Sequence, residues 1–436
     1  MTGGKGINLL SASALAPSPL LTSTEYFASG TATSYVSKSE PNTGRWTLGT
    51  GISAAYKTRL IVRVPKDPKR FNGTVVVEWL NVSAGSDTDP DFSYLGAELE
   101  RAGAAYVGVS AQQVGIDGSK AGDIASQLVP GLGPSGLRRA DPTRYGTLHH
   151  PGDAYSFDMF TQVARSLRTP GQLDVLGGLH PQRLIAVGES QSASRLVTYV
   201  NGVQPLTHEF DGFFVHSRGG GAAPLTGSGD SDSFVGGKSI IRTDSGVPVL
   251  IFETETDVSL LRYDQAEQPD SPRVHVWEVA GTSHADAFVV GPAVGLLGCG
   301  AGINSGPQVY VVRAAISALD HWVRTGQAPP SAPRLQHTAG TLARNARGIV
   351  LGGIRTPPVD VPVSVQSGAP ADASKVICVL FGSNKPFDTA TLKQLYGTKA
   401  AFVVKWDADA DRAIAAGHVM AADRARLVGE AQKVKL

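Results

Sequence analysis

The segment Thr74–Leu80 reads TVVVEWL, a mainly β-branched apolar run that ends abruptly in a polar loop, Asn81–Asp91. Such a run is typical of a strand that is buried on both faces of a sheet. Further short apolar runs follow it along the chain: Ala105–Ser110, Arg183–Val187, Phe210–His216, Val247–Phe252 and Val274–Val279. Because patterns of helical spacing separate several of these runs, the sequence predicts βαβ units and an open, twisted, mostly parallel sheet with helices on both faces.

The flanking segments extend this α/β prediction. Apolar residues recur at helical spacing in Tyr94–Ala102, Asp153–Leu167 and Gln308–Val323, which predicts three helices against the sheet. The earlier segments Glu25–Val36 and Ala54–Val64 are extended in pattern, and we expect them to form antiparallel strands at one edge.

Bulk composition excludes several classes of partner. The formal net charge of +1 over 436 residues gives no general reason to expect nucleic acid or an acidic membrane. No apolar run approaches the roughly 20 residues of a membrane-spanning helix, so no membrane span is expected. No carboxylate–histidine spacing indicates a metal site, and the adjacent His149 and His150 are expected at the surface or at the rim of a pocket. The sequence does not indicate an oligomeric state.

The segment Gly188-Glu189-Ser190-Gln191-Ser192 lies directly after the strand Arg183–Val187 and before a helical pattern. A serine hydroxyl becomes a useful nucleophile when a tight turn lifts it off the end of a sheet, where a base can reach it. Such a turn requires small residues two positions before and after the serine, here Gly188 and Ser192. The segment therefore predicts Ser190 as a nucleophile. The competing interpretation is an ordinary strand–helix turn whose serine caps the helix.

The later strands carry side chains suited to activate such a serine. In folds with this turn, the acid follows the next-to-last strand and the histidine follows the last one. His284 comes after Val274–Val279 and is predicted to be the general base. Asp257, after Val247–Phe252, is predicted to orient the imidazole, with Glu255 as the alternative acid.

The remaining candidate residues surround this predicted triad. The backbone N–H of Gln191 and a second N–H from Asn81 or Val82 are expected to bind a developing oxyanion, although the loop at Asn81 could simply turn the chain. Glu189 and Arg218 are candidate substrate-binding residues. Arg218 and Arg355 could instead pair with structural acids, and we prefer this structural interpretation for both.

At these residues the chain resembles a bacterial branch of the α/β-hydrolase superfamily, the alpha/beta hydrolase domain family. The resemblance rests on motifs spread over nearly the whole chain: VVVEWLNVSAG, HHPGDAYSFDMF, VGESQSASRL, ETETDV, GTSHAD, GGIRTPPVDVP and LYGTKAAFVVKW. It implies the α/β-hydrolase fold and a carboxylic-ester hydrolase that needs no cofactor and acts on a small-molecule ester. It does not indicate which acyl or alcohol group is preferred.

We therefore expect a serine ester hydrolase that works through an acyl-enzyme. An amidase or an acyltransferase would use the same residues, and a non-catalytic binding protein on a hydrolase scaffold is the alternative from another class. A nucleotide-binding protein is not supported, because no GxGxxG segment follows the first buried strand.

The predicted organisation is a mobile leader, residues 1–22, followed by a single α/β-hydrolase domain, residues 23–436. Within it, the glycine- and serine-rich residues 219–246 are expected to form an insertion over the active site, and residues 330–436 a helical C-terminal elaboration. The leader lacks the charged start and uninterrupted apolar core of a secretory signal, which slightly favours the cytoplasm. A trimmed N-terminus would look the same, and secretion is then the alternative. Cys299 and Cys378 could form a disulfide or remain two buried thiols.

Overall fold

The computed structural model of the protein describes residues 7–10, 18–119, 136–226, 237–296, 298–299 and 302–435. Within these ranges the main element is a sheet of eight strands: β1 Leu21–Ser39, β2 Thr47–Pro65, β3 Thr74–Trp79, β4 Ala105–Val109, β5 Arg183–Glu189, β6 Gly212–His216, β7 Val249–Thr254 and β8 Val274–Val279. Their order across the sheet is β1-β2-β4-β3-β5-β6-β7-β8. Strands β3 to β8 run parallel, whereas β1 and β2 are antiparallel at one edge. The mostly parallel α/β sheet is thus confirmed.

The α-helices of the described chain connect and cover these strands. They are α1 Pro90–Ala102, α2 Gln113–Asp117, α3 Leu137–Ala140, α4 Pro142–Tyr145, α5 Ser156–Arg168, α6 Gln191–Thr198, α7 Gln204–Thr207, α8 Glu255–Ser259, α9 Ala287–Val290, α10 Gln308–Thr325, α11 Pro357–Asp360, α12 Val376–Leu380, α13 Thr389–Tyr396, α14 Lys399–Ala415 and α15 Arg424–Lys433. Four short strands complete the fold: β9 His337–Thr338, β10 Thr341–Leu342, β11 Ser364–Ser367 and β12 Ser383–Pro386. No helix in these ranges has the length and apolar character that a membrane span requires.

The sheet has an apolar core on each face, because successive side chains of a strand point to opposite sides. Val77 of β3 packs in the core with residues of α5 and α6. Its neighbour Val76 packs in the other core, with residues of α1, α10, α14 and α15. This burial on both faces explains why the central strands read as continuous apolar runs.

Strands β1 and β2 are longer than the predicted extended segments. Each has 19 residues, and they pair with one another over nearly their whole length. Their outer parts are rich in serine, threonine and glycine and are largely exposed, so the apolar alternation does not continue into them. Strand β1 begins at Leu21, inside the predicted leader, because the buried Leu21 is already paired with Pro65. Residues 1–6 and 11–17 of that leader lie outside the described residues.

The C-terminal residues pack directly on the main sheet. The backbone of Ile354 forms a parallel bridge to Val279 of β8, and Trp406 is buried in the core on one face of the sheet. The sequence pattern of Ala408–Gln432 predicts a helical stretch, but the structure divides it between two helices. Helix α14 ends at Ala415, where Gly417 adopts a φ of 76° and donates its N–H to Ile414 O, and α15 starts only at Arg424. The proline-rich stretch Ile354–Val365 has an extended sequence pattern, but it contains the short helix α11.

The two cysteines form a disulfide, which settles the alternative left open by the sequence. Cys299 and Cys378 are joined across 79 positions of sequence. They lie in a small apolar cluster with Ile303 and Phe381. Nearby, Ala285 N donates to Leu380 O, so the bridge lies close to the loop that follows β8.

Candidate active site

Ser190 occupies a sharp turn between β5 and α6. Its backbone has φ 62° and ψ −120°, a region that residues with a side chain rarely adopt. A Cβ atom added at Gly188 would lie 3.1 Å from backbone and side-chain atoms of Ser192. The close approach of these two positions explains why the turn needs small residues on either side of Ser190.

The structure brings three predicted residues into one hydrogen-bonded chain. Ser190 Oγ lies 2.7 Å from His284 Nε2, and His284 Nδ1 lies 2.7 Å from Asp257 Oδ1. All three side chains are buried. They come from three different strand ends, after β5, β7 and β8. The arrangement can move a proton from the serine hydroxyl to an imidazole whose tautomer is fixed by a carboxylate.

Asp257 is itself held by the start of α8. Its Oδ2 accepts hydrogen bonds from both the N–H and the Oγ1 of Thr254, each at 2.7 Å. Burial alone would raise the pKa of Asp257, but the charge of His284 and the hydrogen bonds from His284 and Thr254 hold it below the usual value. Burial also acts to lower the pKa of His284, yet the carboxylates of Glu189 and Asp257 outweigh it and the pKa is raised.

Glu255, the alternative acid, is bonded elsewhere. Its Oε1 accepts the N–H of Gly281 at 2.8 Å, and its Oε2 lies 2.7 Å from Arg344 Nη2. Its Oε2 also accepts the N–H of Gly368 at 3.1 Å. The structure therefore brings Asp257, and not Glu255, to the imidazole of His284.

Glu189 was expected to bind substrate, and the structure brings its carboxylate to His284. Glu189 Oε1 lies 3.4 Å from His284 Nε2, on the side of the ring that faces Ser190. Asn81 Nδ2 donates to Glu189 O at 2.9 Å and lies 3.3 Å from Glu189 Oε2. Burial raises the pKa of the Glu189 carboxyl to about 7, although the charges of His284 and His216 act to lower it.

The candidate oxyanion donors differ in what their N–H groups bind. Asn81 N donates to Thr88 O at 3.0 Å, so this N–H is not free for an oxyanion and that part of the prediction requires correction. The N–H groups of Val82 and Gln191 have no acceptor within the chain that the structure describes. Gln191 is the first residue of α6, where an orphan N–H is expected.

Neither of the two arginines contacts the triad. Arg218 is fully buried and donates to the backbone carbonyls of Gly219 and Ser239. It therefore bonds to both described stretches of the predicted insertion, residues 219–226 and 237–246. Residues 227–236 of that insertion lie outside the described residues. Arg355 donates to Asp360 Oδ1 and Val350 O. Arg355 thus pairs with a structural acid, as the structural interpretation expects, whereas Arg218 is bonded to backbone carbonyls.

Buried contacts of three acidic side chains, which the sequence analysis missed, anchor the loop after β3 and the start of α1. Arg59 lies against Asp87, Arg63 lies 2.8 Å from Asp89, and His216 Nδ1 lies 2.8 Å from Asp91. The loop contains acids at every second position, and this alternation was the available signal. His216 also accepts the N–H of Ser190 with its backbone oxygen at 2.9 Å, so the loop and the nucleophile share a support.

The two histidines of the HHPGD segment differ in exposure, and His149 is exposed, as expected. His150 is buried, with Nε2 2.9 Å from Ala111 O, so its predicted place at the surface or at a pocket rim was wrong. Asp153 pairs with Arg195 of α6 at 3.1 Å, and both side chains are fully buried.

A separate cavity of about 680 Å³ is lined by Arg183, at the start of β5, and lies at the opposite end of that strand from Ser190.

Comparison with known proteins identifies the family. A family model described as "Alpha/beta hydrolase domain" matches residues 14–429. The chain belongs to the alpha/beta hydrolase domain family. This match confirms the resemblance inferred from the motifs and the predicted α/β-hydrolase fold. None of the curated proteins compared with this alpha/beta hydrolase matches it.

Several solved structures resemble this alpha/beta hydrolase weakly. Esterase Est22 is 13% identical, with 62% of this chain and 75% of that chain covered and a TM-score of 0.31. For fungal esterases from Rhizomucor miehei, the identity is 10%, the coverage 71% and 86%, and the TM-score 0.36. XC6422 from Xanthomonas campestris, described as a serine hydrolase without a lid, is 13% identical, with coverage of 62% and 91% and a TM-score of 0.32. Similarities at this level add nothing to the family match.

Proposed function

We propose that this alpha/beta hydrolase is a serine hydrolase that cleaves carboxylic esters through an acyl-enzyme. The observation that carries the proposal is the hydrogen-bonded chain from Ser190 Oγ through His284 to Asp257, with both links at 2.7 Å. The positive φ of Ser190 supports it, because strained backbone at a non-glycine residue concentrates at active sites.

In the acylation step, Ser190 Oγ attacks the ester carbonyl carbon while its proton passes to His284 Nε2. Asp257 accepts the Nδ1–H of His284 throughout and stabilises the imidazolium that forms. The carbon–oxygen bond of the tetrahedral intermediate then breaks. The alcohol leaves with the proton from Nε2, and the acyl group stays on Ser190.

The negative charge of the intermediate needs two donors aimed at one point. We assign this role to the backbone N–H groups of Val82 and Gln191, which lack an acceptor in the described chain. Val82 belongs to the loop after β3, in which the buried Arg59 and Arg63 hold Asp87 and Asp89, so we expect its N–H to be fixed before substrate binds. A donor fixed in this way costs little reorganisation during the reaction.

In the deacylation step, His284 Nε2 takes a proton from water while the water oxygen attacks the acyl carbon. The bond between that carbon and Ser190 Oγ then breaks, the carboxylic acid leaves, and Nε2 returns the proton to Oγ. An alcohol or amine in place of water would give acyl transfer, and an amide in place of the ester would give amidase activity. These reactions use the same residues.

An active-site fluorophosphonate probe tests the proposal on the intact protein. We expect rapid labelling of the wild type at Ser190, no labelling of Ser190→Ala, and labelling slowed by several orders of magnitude in His284→Ala. Ser166→Ala, which removes a hydroxyl on α5 far from the triad, is the matched control and should label like the wild type. Hydrolysis of p-nitrophenyl esters should follow the same order. A folded wild type that the probe does not label would overturn the proposal in favour of a non-catalytic binding protein.

A further inference from the structure

The Nε2 atom of His284 faces two oxygen atoms. Ser190 Oγ lies 2.7 Å away, and Glu189 Oε1 lies 3.4 Å away. The imidazole is thus flanked by carboxylates at both of its nitrogens, since Asp257 Oδ1 lies 2.7 Å from Nδ1. The serine chemistry described above uses only one of these two carboxylates.

The side chain of Glu189 is held in this position. It is buried, with 7% of the residue exposed, and Asn81 Nδ2 lies 3.3 Å from its Oε2. The same amide nitrogen donates to Glu189 O, and Asn81 Oδ1 accepts the N–H of Ser83 at 2.8 Å. Because Asn81 engages Oε2, the other carboxylate oxygen is left to face His284.

The charged groups around Glu189 come from every element packed against it. His216 on β6 is the neighbour of Glu189 in the sheet. Asp91 and Tyr94 on α1, Asp257 on α8 and His284 in the loop after β8 act on it electrostatically. Of these, only the two histidines can contribute positive charge, and His284 is the one within 3.4 Å of the carboxylate.

We propose that Glu189 is a further catalytic residue, whose carboxylate stabilises the imidazolium of His284 from the Nε2 side while Asp257 stabilises it from the Nδ1 side. This inference rests on the proposed function, because it requires His284 to carry the proton of Ser190. Two opposite charges in a site from which water is largely excluded interact more strongly than the same pair in water.

The proton balance of the step is simple. Neutral His284 holds its proton on Nδ1 and accepts the Ser190 hydroxyl proton on Nε2. The new Nε2–H bond then lies between the Glu189 carboxylate and the oxygen of the leaving alcohol, and the proton goes to that oxygen. Glu189 remains an anion throughout and forms no covalent bond.

The same contact makes the rate depend on the ionisation of Glu189. A protonated Glu189 would donate its own O–H to Nε2 and occupy the lone pair that must accept the proton of Ser190. The active form therefore has an anionic Glu189 and a neutral His284. Both groups become protonated as the pH falls, and they titrate as a coupled pair rather than as two independent sites.

The test compares the pH dependence of kcat/KM in the wild type, Glu189→Gln and Glu267→Gln. Glu267 Oε1 lies 2.6 Å from His337 Nε2, so its variant removes a glutamate–histidine contact that involves no member of the triad. For Glu189→Gln we expect a plateau about 10²-fold lower, a loss at the low end of general acid–base effects. We also expect the acidic limb of the profile to move to lower pH, because His284 loses the charge that raises its pKa. Glu267→Gln should keep both features of the wild type.

Other outcomes separate the possible failures. If Ser190→Ala abolishes activity while Glu189→Gln keeps the wild-type plateau and limb, this inference fails and the proposed function stands. A lower plateau with an unmoved limb, together with a lower melting temperature, would mean that Glu189 is only structural. If Ser190→Ala retains activity, the proposed function itself fails. Glu189→Asp keeps the charge on a shorter side chain, so its acidic limb should lie between those of the wild type and Glu189→Gln.

Discussion

Glu255 Oε1 accepts the backbone N–H of Gly281 at 2.8 Å, so a carboxylate two residues before Asp257 holds the loop that carries His284. Its other oxygen binds Arg344 and the N–H of Gly368, both from the C-terminal stretch. Glu255 therefore joins three parts of the chain around the triad. Asp257 has a different task, because its Oδ1 contacts the imidazole directly.

This difference predicts unequal effects for two similar substitutions. Asp257→Asn should lower kcat by about 10³–10⁴-fold, because the amide cannot fix the tautomer of His284 or stabilise its positive charge. The melting temperature should change little, since the side-chain oxygen can still accept from Thr254. Steady-state kinetics and thermal unfolding of the same preparations measure both quantities.

Glu255→Gln should show the reverse pattern. It leaves the charge of Arg344 without its 2.7 Å carboxylate partner and weakens the support of Gly281, so the free energy of unfolding should fall by about 2 kcal/mol. The loss of kcat should be far smaller than in Asp257→Asn. If Glu255→Gln abolishes turnover and Asp257→Asn does not, the assignment of the acid has to be exchanged.

The sequence predicted the elements that follow from local patterns. The central strands, their parallel arrangement and the order of Ser190, Asp257 and His284 could all be inferred, because buried strands and the turn at Ser190 have strong local signatures. The choice between Asp257 and Glu255 could not, since both are acids in the same short helix. Their roles differ only because different loops contact the two side chains in the folded protein.

Long-range pairing explains what the sequence analysis missed. The N–H of Asn81 donates to Thr88 in an isolated antiparallel bridge, and no sequence pattern near Asn81 predicts that bridge. The direction of the Glu189 carboxylate depends on the Asn81 amide, which is 108 positions away in the sequence. Cys299 and Cys378 are similarly paired by the packing of the C-terminal stretch on the loop after β8.

Two buried carboxyl groups should make stability fall as the pH rises from about 4 to about 7. Burial raises the pKa of Glu278 from 4.5 to about 7 and that of Asp286 from 3.8 to about 6. Between its unfolded and folded pKa, each carboxyl binds more protons in the folded protein than in the unfolded chain. In that interval each contributes a loss of about 1.4 kcal/mol per pH unit, and the loss ends near pH 6 for Asp286 and near pH 7 for Glu278. Chemical denaturation between about pH 4 and 7 should show this decline.

Glu278→Gln tests one contribution to this decline. The amide cannot ionise, yet its oxygen can still accept the N–H of Leu335, which Glu278 Oε2 binds at 2.7 Å. The unfolding free energy of the variant should therefore depend less steeply on pH than that of the wild type. Parallel pH profiles of the two proteins would show that Glu278 does not carry the effect.

Replacing either partner of the buried ion pair between Asp153 and Arg195 should lower the free energy of unfolding. Both side chains are fully buried and 3.1 Å apart, so Asp153→Asn or Arg195→Met leaves a charge without this partner inside the protein. Each single variant should lose about 3 kcal/mol of unfolding free energy. The double variant should lose much less than the sum of the two. Additive losses in this double-mutant cycle would mean that the two side chains stabilise the protein independently.

Removing the disulfide should lower stability, because the unfolded chain without the cross-link has more conformational freedom. The bridge closes a loop of 79 positions, and the chain-entropy model assigns such a loop about 4.5 kcal/mol at 25 °C. Cys299→Ser combined with Cys378→Ser should therefore unfold at lower denaturant concentration than the oxidised wild type. A reducing agent should bring the wild type down to the level of the variant and leave the variant unchanged, because the variant has no sulfur bridge to lose. If the wild type unfolds at the same denaturant concentration with and without reductant, the two cysteines are not bridged in the protein as purified. Their contact would then stabilise the loop after β8 by packing alone.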